Sequence, residues 1–199
     1  VLNVTGVDVV TVNDGATSAN DGAILAGFTA DVEFDVVDNA AGLIAEMGGA
    51  DVAGQLTEAN SITVDDGQGG QVVNAGDGAI LAGFTADVAF DVTDNANAVA
   101  AEVTGSNGAG DLDEVNTLIV SGGDVDASQA GAIQSISGYD DSASDYEITD
   151  NAAAVIGAGN SVIENDGVTR VEVTNDATAL EGVSLNNYSA NVDFDVSDT

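Results

Sequence analysis

The chain has 199 residues, 44% of them apolar, and one basic residue against 35 acidic ones, a formal charge of −34. That field repels nucleic acid and anionic membrane and attracts cations. There is no cysteine, so disulfides and thiolate metal sites are excluded, and no histidine to act as a general base.

Residues 1–8 read as an irregular extension. From Val10 onward the chain repeats a five-residue word: apolar, outward-facing, apolar, small polar, Asp. Eight such words begin at Val10, Phe34, Ile62, Phe90, Leu118, Tyr146, Val171 and Phe194. Alternation over five residues predicts a short strand with one buried face. The third position is Val in every word except for Ile148, which suits a close-packed, strand-lined interior. The fifth positions fall at Asp38, Asp66, Asp94, Gly122 and Asp150, a step of 28, with shorter steps outside them. A fixed period in this range marks a repeat architecture. Aromatic and aliphatic residues alternate at the first position, so the true unit is a pair of coils, 56 residues long. The identical runs at Gly22–Val32 and Gly78–Val88 keep that offset.

Like strands separated by about 20 residues need parallel crossovers rather than hairpins. The predicted connections are short helices. Asp38-Asn39-Ala40, Asp94-Asn95-Ala96 and Asp150-Asn151-Ala152 each place an Asp ahead of an Ala-rich run, which predicts an Asp N-cap and a helix of two or three turns. The other coil type offers a second helical run, with Ala23, Ile24 and Phe28 matched by Ala79, Ile80 and Phe84, and more loosely by Ala132, Ile133 and Ile136. Gly27, Gly83 and Gly138 stand where helix C-terminal glycines belong.

These features predict an α/β solenoid: a parallel strand ladder with one short helix per coil of about 28 residues, in which Val36, Val64 and Val92 lie side by side. The alternative is a parallel β-helix. No linker is visible, so residues 1–199 read as one domain of about eight coils, a rod ~40 Å long at ~4.8 Å per strand. Apolar solenoid ends predict self-association end to end or with further repeats. The chain opens on Val1 and stops just after a strand, which reads as a piece of something longer. No apolar run reaches the ~18 residues of a membrane span, so no membrane insertion is expected.

Catalysis is not expected, because no acid departs from the repeat as a specialised pair would. Calcium is the better chemical candidate, since hard cations take several oxygens from Asp, Asn and carbonyl groups. No cofactor is essential on this reading. The densest sets of carboxylates are Asp111, Asp113 and Glu114; Asp124 and Asp126; Asp140 and Asp141, with Asp145 close by; and Glu164 and Asp166. Asp111-Leu112-Asp113-Glu114-Val115-Asn116 echoes the start of a calcium loop but lacks its Gly and its final Glu. Solvated surface acids and, at the fifth positions, helix caps are the competing readings. Arg170, the one basic residue, is expected to pair with Asp145 or Asp193 on a neighbouring coil.

The segments 90–99 (FDVTDNANAV), 146–155 (YEITDNAAAV) and 62–66 (ITVDD) resemble repeats of very large bacterial surface proteins. Those proteins are often exported by the type I route and act as adhesins, S-layer components or extracellular matrix proteins. The resemblance covers nearly the whole chain. It implies an extracellular, cell-surface location, calcium in the surroundings and a mechanical or adhesive role in a filament, surface layer or biofilm. The calcium nonapeptide GGxGxDxUx of many such proteins is missing, with only echoes at Asp66-Gly67-Gln68-Gly69-Gly70 and Gly122-Gly123-Asp124. The reading that follows is a non-catalytic, stiff acidic module. A calcium- or glycan-binding adhesion module is the alternative, and an acid-coated protein that folds only in molar salt is a third.

Overall fold

The computed structural model describes residues 9–11, 16–26, 31–48, 56, 59–65, 72–83, 88–105, 112 and 114–197. The first half runs β1 (Val9–Thr11), α1 (Ala19–Ala26), β2 (Asp31–Glu33), β3 (Asp35–Asp38), α2 (Ala40–Gly48), β4 (Ser61–Val64), β5 (Val72–Val73), α3 (Ala75–Leu81) and β6 (Val88–Ala89). The second runs β7 (Asp91–Asp94), α4 (Ala96–Thr104), β8 (Thr117–Val125), α5 (Ala127–Gln134), β9 (Asp145–Asp150) and α6 (Ala152–Ala158). It ends with α7 (Asn160–Ile163), β10 (Val168–Val173), α8 (Ala179–Leu185) and β11 (Val192–Asp193). The protein is thus α/β, with parallel strands alternating with helices, and coils built from strands alone do not describe it.

Two compact units divide the chain: residues 1–73 with 77–91, and residues 74–76 with 92–199. In the first, β1 pairs with β2, and a separate sheet has the order β3-β4-β6. In the second, the order is β11-β10-β9-β8-β7.

From Phe34 to Val173 the predicted inward columns are the core, whereas in the last word Phe194 is half-buried and Val196 exposed. Ile62, Phe90, Leu118, Tyr146 and Val171 at the first position, and Val36, Val64, Val92, Val120 and Ile148 at the third, are all buried. The expected register is wrong. Val36 pairs with Ile62, not Val64, and Ile62 pairs with Val88. Val92 belongs to a different sheet from Val36 and Val64. Ile148 pairs with Val171 rather than Val173, and with Val125 rather than Val120. Each shift on β4 and β10 is two residues. Because side chains alternate with period two, such a slip keeps every apolar residue on the inner face. Burial alone therefore does not choose between the two registers.

The expected Asp caps are also displaced by one residue. The helix cap is the Asn that follows: Asn95 Oδ1 accepts from Ala98 N–H at 3.0 Å and Asn151 Oδ1 from Ala154 N–H at 3.0 Å. Asn39 Oδ1 accepts from Gly42 N–H at 2.9 Å in the same way. The Asp does two other things. Its Oδ1 accepts from the backbone and side-chain N–H groups of that Asn, which fixes the cap. Its Oδ2 accepts from the first N–H of the preceding helix: Asp38 from Ala19, Asp94 from Ala75, Asp150 from Ala127, at 3.0–3.1 Å. Asn175 repeats this for Ala152 at 2.8 Å. One carboxylate thus joins the starts of two successive helices, whose free N–H groups and dipoles favour negative charge.

Ile24 and Ile80 lie on α1 and α3, as the second helical run predicts, and are exposed. Gly83 follows α3 and Gly138 lies beyond α5, neither of them left-handed, while Gly159, after α6, has φ 78°. Phe28, Phe84 and Gly27 lie outside the described residues.

Candidate functional site

The most distinctive surface is the outward face of β8, β9 and β10. It begins from a break in the ladder. Gly122 and Gly123 adopt φ 71° and 89°, a region that favours glycine, and here the β8–β9 register shifts. Side chains bridge the gap left in the pairing. Buried Ser144 accepts from Val120 N–H through Oγ at 2.9 Å, and Asp145 Oδ1 accepts from Gly122 N–H at 2.9 Å. Beyond the break, Asp124 stands opposite Glu147. An open groove of about 600 Å³ results, lined by Gly122, Gly123, Asp124, Asp145, Glu147 and Glu172 among others.

Like charges directly opposite one another on neighbouring strands repel. Arg170 answers this. It lies in register with Glu147 and binds it at 3.2 Å, binds Glu172 on its own strand at 2.9 Å, and binds Asp193 through two nitrogens at 2.9 Å. The expected pairing with Asp193 is present. Asp145, the other expected partner, is instead engaged with Gly122. The three carboxylates hold the guanidinium pKa above its ordinary value, Asp193 contributing most. One cation thus ties together β9, β10 and β11 on their charged face.

The sequence-derived metal candidates are dispersed. Asp111 and Asp113 lie outside the described residues, and Glu114 is exposed in a turn. Asp126 caps α5, accepting from Gln129 N–H at 2.8 Å while Gln129 Oε1 accepts from Asp126 N–H at 3.0 Å. Asp140 Oδ1 closes a local turn with Ser142 and Ala143 N–H, and Asp141 O accepts from Ser144 N–H in the same loop. Glu164 Oε1 accepts from Ser189 N–H at 2.6 Å, which lowers its carboxyl pKa, and Asp166 is exposed in the turn before β10. Of the described candidates Asp124 lines the groove, as does Asp145 close to Asp140 and Asp141 in the sequence. Among the described residues no three acidic side chains are placed to hold a metal ion.

Sequence reading missed the role of Glu147 and Glu172 as groove walls, although both occupy outward second positions of the repeated word. It also missed a polar network beneath the groove. Tyr146 is buried, and its hydroxyl accepts from Gln134 Nε2 at 2.7 Å; Tyr139 donates to Asn165 Oδ1 at 2.9 Å. Burial pushes both phenol pKa values up. The signal was present: a Tyr where the other aromatic words have Phe must find a partner for its hydroxyl.

No protein-family model matches this chain, no curated protein is significantly similar to it, and no solved structure matches it. Among the described residues no helix is long and apolar enough to cross a membrane.

Proposed function

We propose that the chain is a non-catalytic structural module, a stiff acidic solenoid serving an extracellular bacterial surface protein as part of a filament, surface layer or adhesin stalk. The observation that carries this is the carboxylate link at Asp38, Asp94 and Asp150, repeated at intervals of 56, with Asn175 in the same role. A link between successive helix starts, made the same way each time, is how a quasi-one-dimensional stack of repeats holds its neighbours. The resemblance to surface-protein repeats and the charge of −34 agree with that role.

Removing one 56-residue unit tests it. Deletion of residues 39–94 joins Asp38 to Asn95 and recreates the native Asp-Asn sequence. A stack should still fold, with ellipticity per residue unchanged and the urea m-value reduced in proportion to length. A chain that fails to fold cooperatively would sink the solenoid reading.

A second reading, a calcium- or glycan-binding adhesion module, is favoured by the acidic groove over β8–β10. Calorimetric titration with millimolar calcium separates the two. Heat and a melting shift that vanish in Glu147→Gln would support it, and no response would leave the structural role.

A further inference from the structure

The turn that closes α8 carries Asn187-Tyr188-Ser189, the spacing of an asparagine that accepts a glycan: an amide nitrogen, a residue other than proline, and a hydroxyl two places on. Such a triplet also arises by chance, so its setting decides whether it is usable. The other one, Asn3-Val4-Thr5, lies outside the described residues.

Asn186 is the C-cap of α8. Asn187 N–H then donates to Ser184 O at 3.2 Å and Tyr188 N–H to Leu185 O at 3.2 Å, so the chain leaves the helix in one tight turn. Asn187 is exposed, and among the described residues its carboxamide has no hydrogen-bond partner. That separates it from the asparagines on which the fold depends. Asn39, Asn95 and Asn151 cap helices, Asn175 reaches back to Ala152, and Asn165 accepts from Tyr139. A carboxamide with such a duty cannot be modified without loosening the fold, whereas that of Asn187 can.

The exposure belongs to the turn, not to its place in the chain. Residues 177–198 align without gaps on residues 73–94, which puts Asn187 at the position of Gly83 and Ser189 at that of Thr85. Gly83 N–H donates to Ile80 O at 3.1 Å, and after α5 Ser135 N–H donates to Ala132 O at 3.2 Å, the same contact that Asn187 makes with Ser184. Gly83 and Ser135 are both exposed. A side chain at this position therefore faces solvent in coils well inside the sequence. The hydroxyl two places on is shared with Thr85, so the asparagine is what completes the motif.

The residues that follow are pinned from one side. The Tyr188 hydroxyl donates to Val155 O at 3.3 Å and Ile156 O at 3.4 Å, on α6. Ser189 N–H donates to Glu164 Oε1 at 2.6 Å, and the same carboxylate takes the Ser189 hydroxyl. The contact with Glu164 is exposed, so a transferase has access to that hydroxyl.

We infer that Asn187 accepts an N-linked glycan from a lipid-pyrophosphate-linked oligosaccharide. Its Nδ2 bonds to the anomeric carbon of the first sugar as the bond from that carbon to the pyrophosphate oxygen breaks. The pyrophosphate leaves with the electron pair, and Nδ2 gives up one proton to a base of the transferase. This rests on the extracellular reading, because acceptor triplets of this kind serve secreted proteins.

Intact-mass spectrometry of the protein recovered from its native host, followed by peptide mapping, tests this. The expected result is protein outside the cell with a mass excess of whole sugar residues located on Asn187. Asn187→Gln and Ser189→Ala should each lower occupancy there by about tenfold or more, while Ser189→Thr, which keeps the hydroxyl, should retain at least the native occupancy. Far-UV ellipticity verifies that each variant is folded. Protein recovered outside the cell with Asn187 bare overturns the acceptor site and leaves the extracellular reading in place, and so does a glycan found on Asn3 alone. Protein confined inside the cell overturns the extracellular reading and the site with it. Ser189→Ala modified as fully as the native chain also overturns the site, because the sugar is then attached without the hydroxyl being read.

Discussion

Asp150 shows how one side chain can serve two helices. Its two oxygens divide the work, one holding Asn151 as the cap of α6 and the other reaching back to Ala127 at the start of α5. Asp150→Ala should cost about 1–2 kcal/mol in urea unfolding, the usual loss for a helix N-terminal partner. Asp150→Asn should cost less than half of that, because Asn175 performs the backward contact with an amide oxygen. Equal losses in the two variants would mean that charge, not the hydrogen bond, is what matters. The tyrosines give a second prediction at this scale. The chain has three, Tyr139, Tyr146 and Tyr188, and burial raises all of their phenol pKa values above the ordinary 10.0. In the unfolded chain they ionise first, so the folded state binds more protons as pH passes 10 and stability falls with rising pH. Stability from this source is complete below pH 10. At pH 10 the native protein should show less tyrosinate absorbance than the unfolded chain, and the remainder should appear as the protein unfolds. A smooth titration centred on 10 would contradict the burial.

At the scale of elements, the repeated word foretold which residues are inside and which elements alternate. It did not foretell which residue lies beside which. Val36 could sit beside Ile62 or Val64 with the same faces buried, because the word reads apolar at both its first and third positions. What fixes the partner is backbone detail that alternation does not encode: Asn60 N–H on Phe34 O and Asp65 N–H on Asp38 O at the two ends of the β3–β4 pairing, and the left-handed glycines at the β8 break. The cap was missed by one residue for a similar reason. Asp and Asn are both good caps, and only the geometry shows Asn95 capping its own helix while Asp94 reaches back to Ala75. The glycine break can be tested directly. A Cβ on Gly123 would lie 3.3 Å from Ala96 N and Asn97 Nδ2, whereas one on Gly122 meets nothing within 4 Å. Both positions are left-handed, so Gly122→Ala should cost about 1 kcal/mol and Gly123→Ala distinctly more. Chemical denaturation of the two variants decides the order, and the reverse order would mean the break is not held by α4.

For the whole molecule the dominant quantity is the unbalanced charge. With one Arg to offset 35 acids, self-repulsion opposes folding until ions screen it. The melting temperature should rise by more than about 5 °C between 10 mM and 1 M NaCl as the Debye length shrinks from ~30 to ~3 Å. A flat response would show that the acids are spaced widely enough not to interact. Arg170→Gln should steepen this salt dependence, since it leaves Glu147, Glu172 and Asp193 facing one another. Charge is also why the candidate site was only half legible. Acids are so frequent that density along the sequence pointed to Asp126, Asp140 and Glu164, which the fold uses in caps and turns. The groove instead draws on acids from separate strands, brought together by cross-strand pairing.

The backward reach of Asp38, Asp94, Asp150 and Asn175 makes the chain's fastening one-way. Helices α2, α4 and α6 keep their own Asn at the front, while α1, α3, α5 and α6 depend on a later layer to finish the start of the helix. Loss of a later layer therefore loosens the one before it, while loss of an earlier layer leaves its successor intact. Erosion by heat or protease should travel from the C-terminal end toward the N-terminal end. In native-state hydrogen exchange within residues 92–197, amide protection should decline toward α8, and a gradient in the opposite sense would show that the order of attachment does not govern the order of loss.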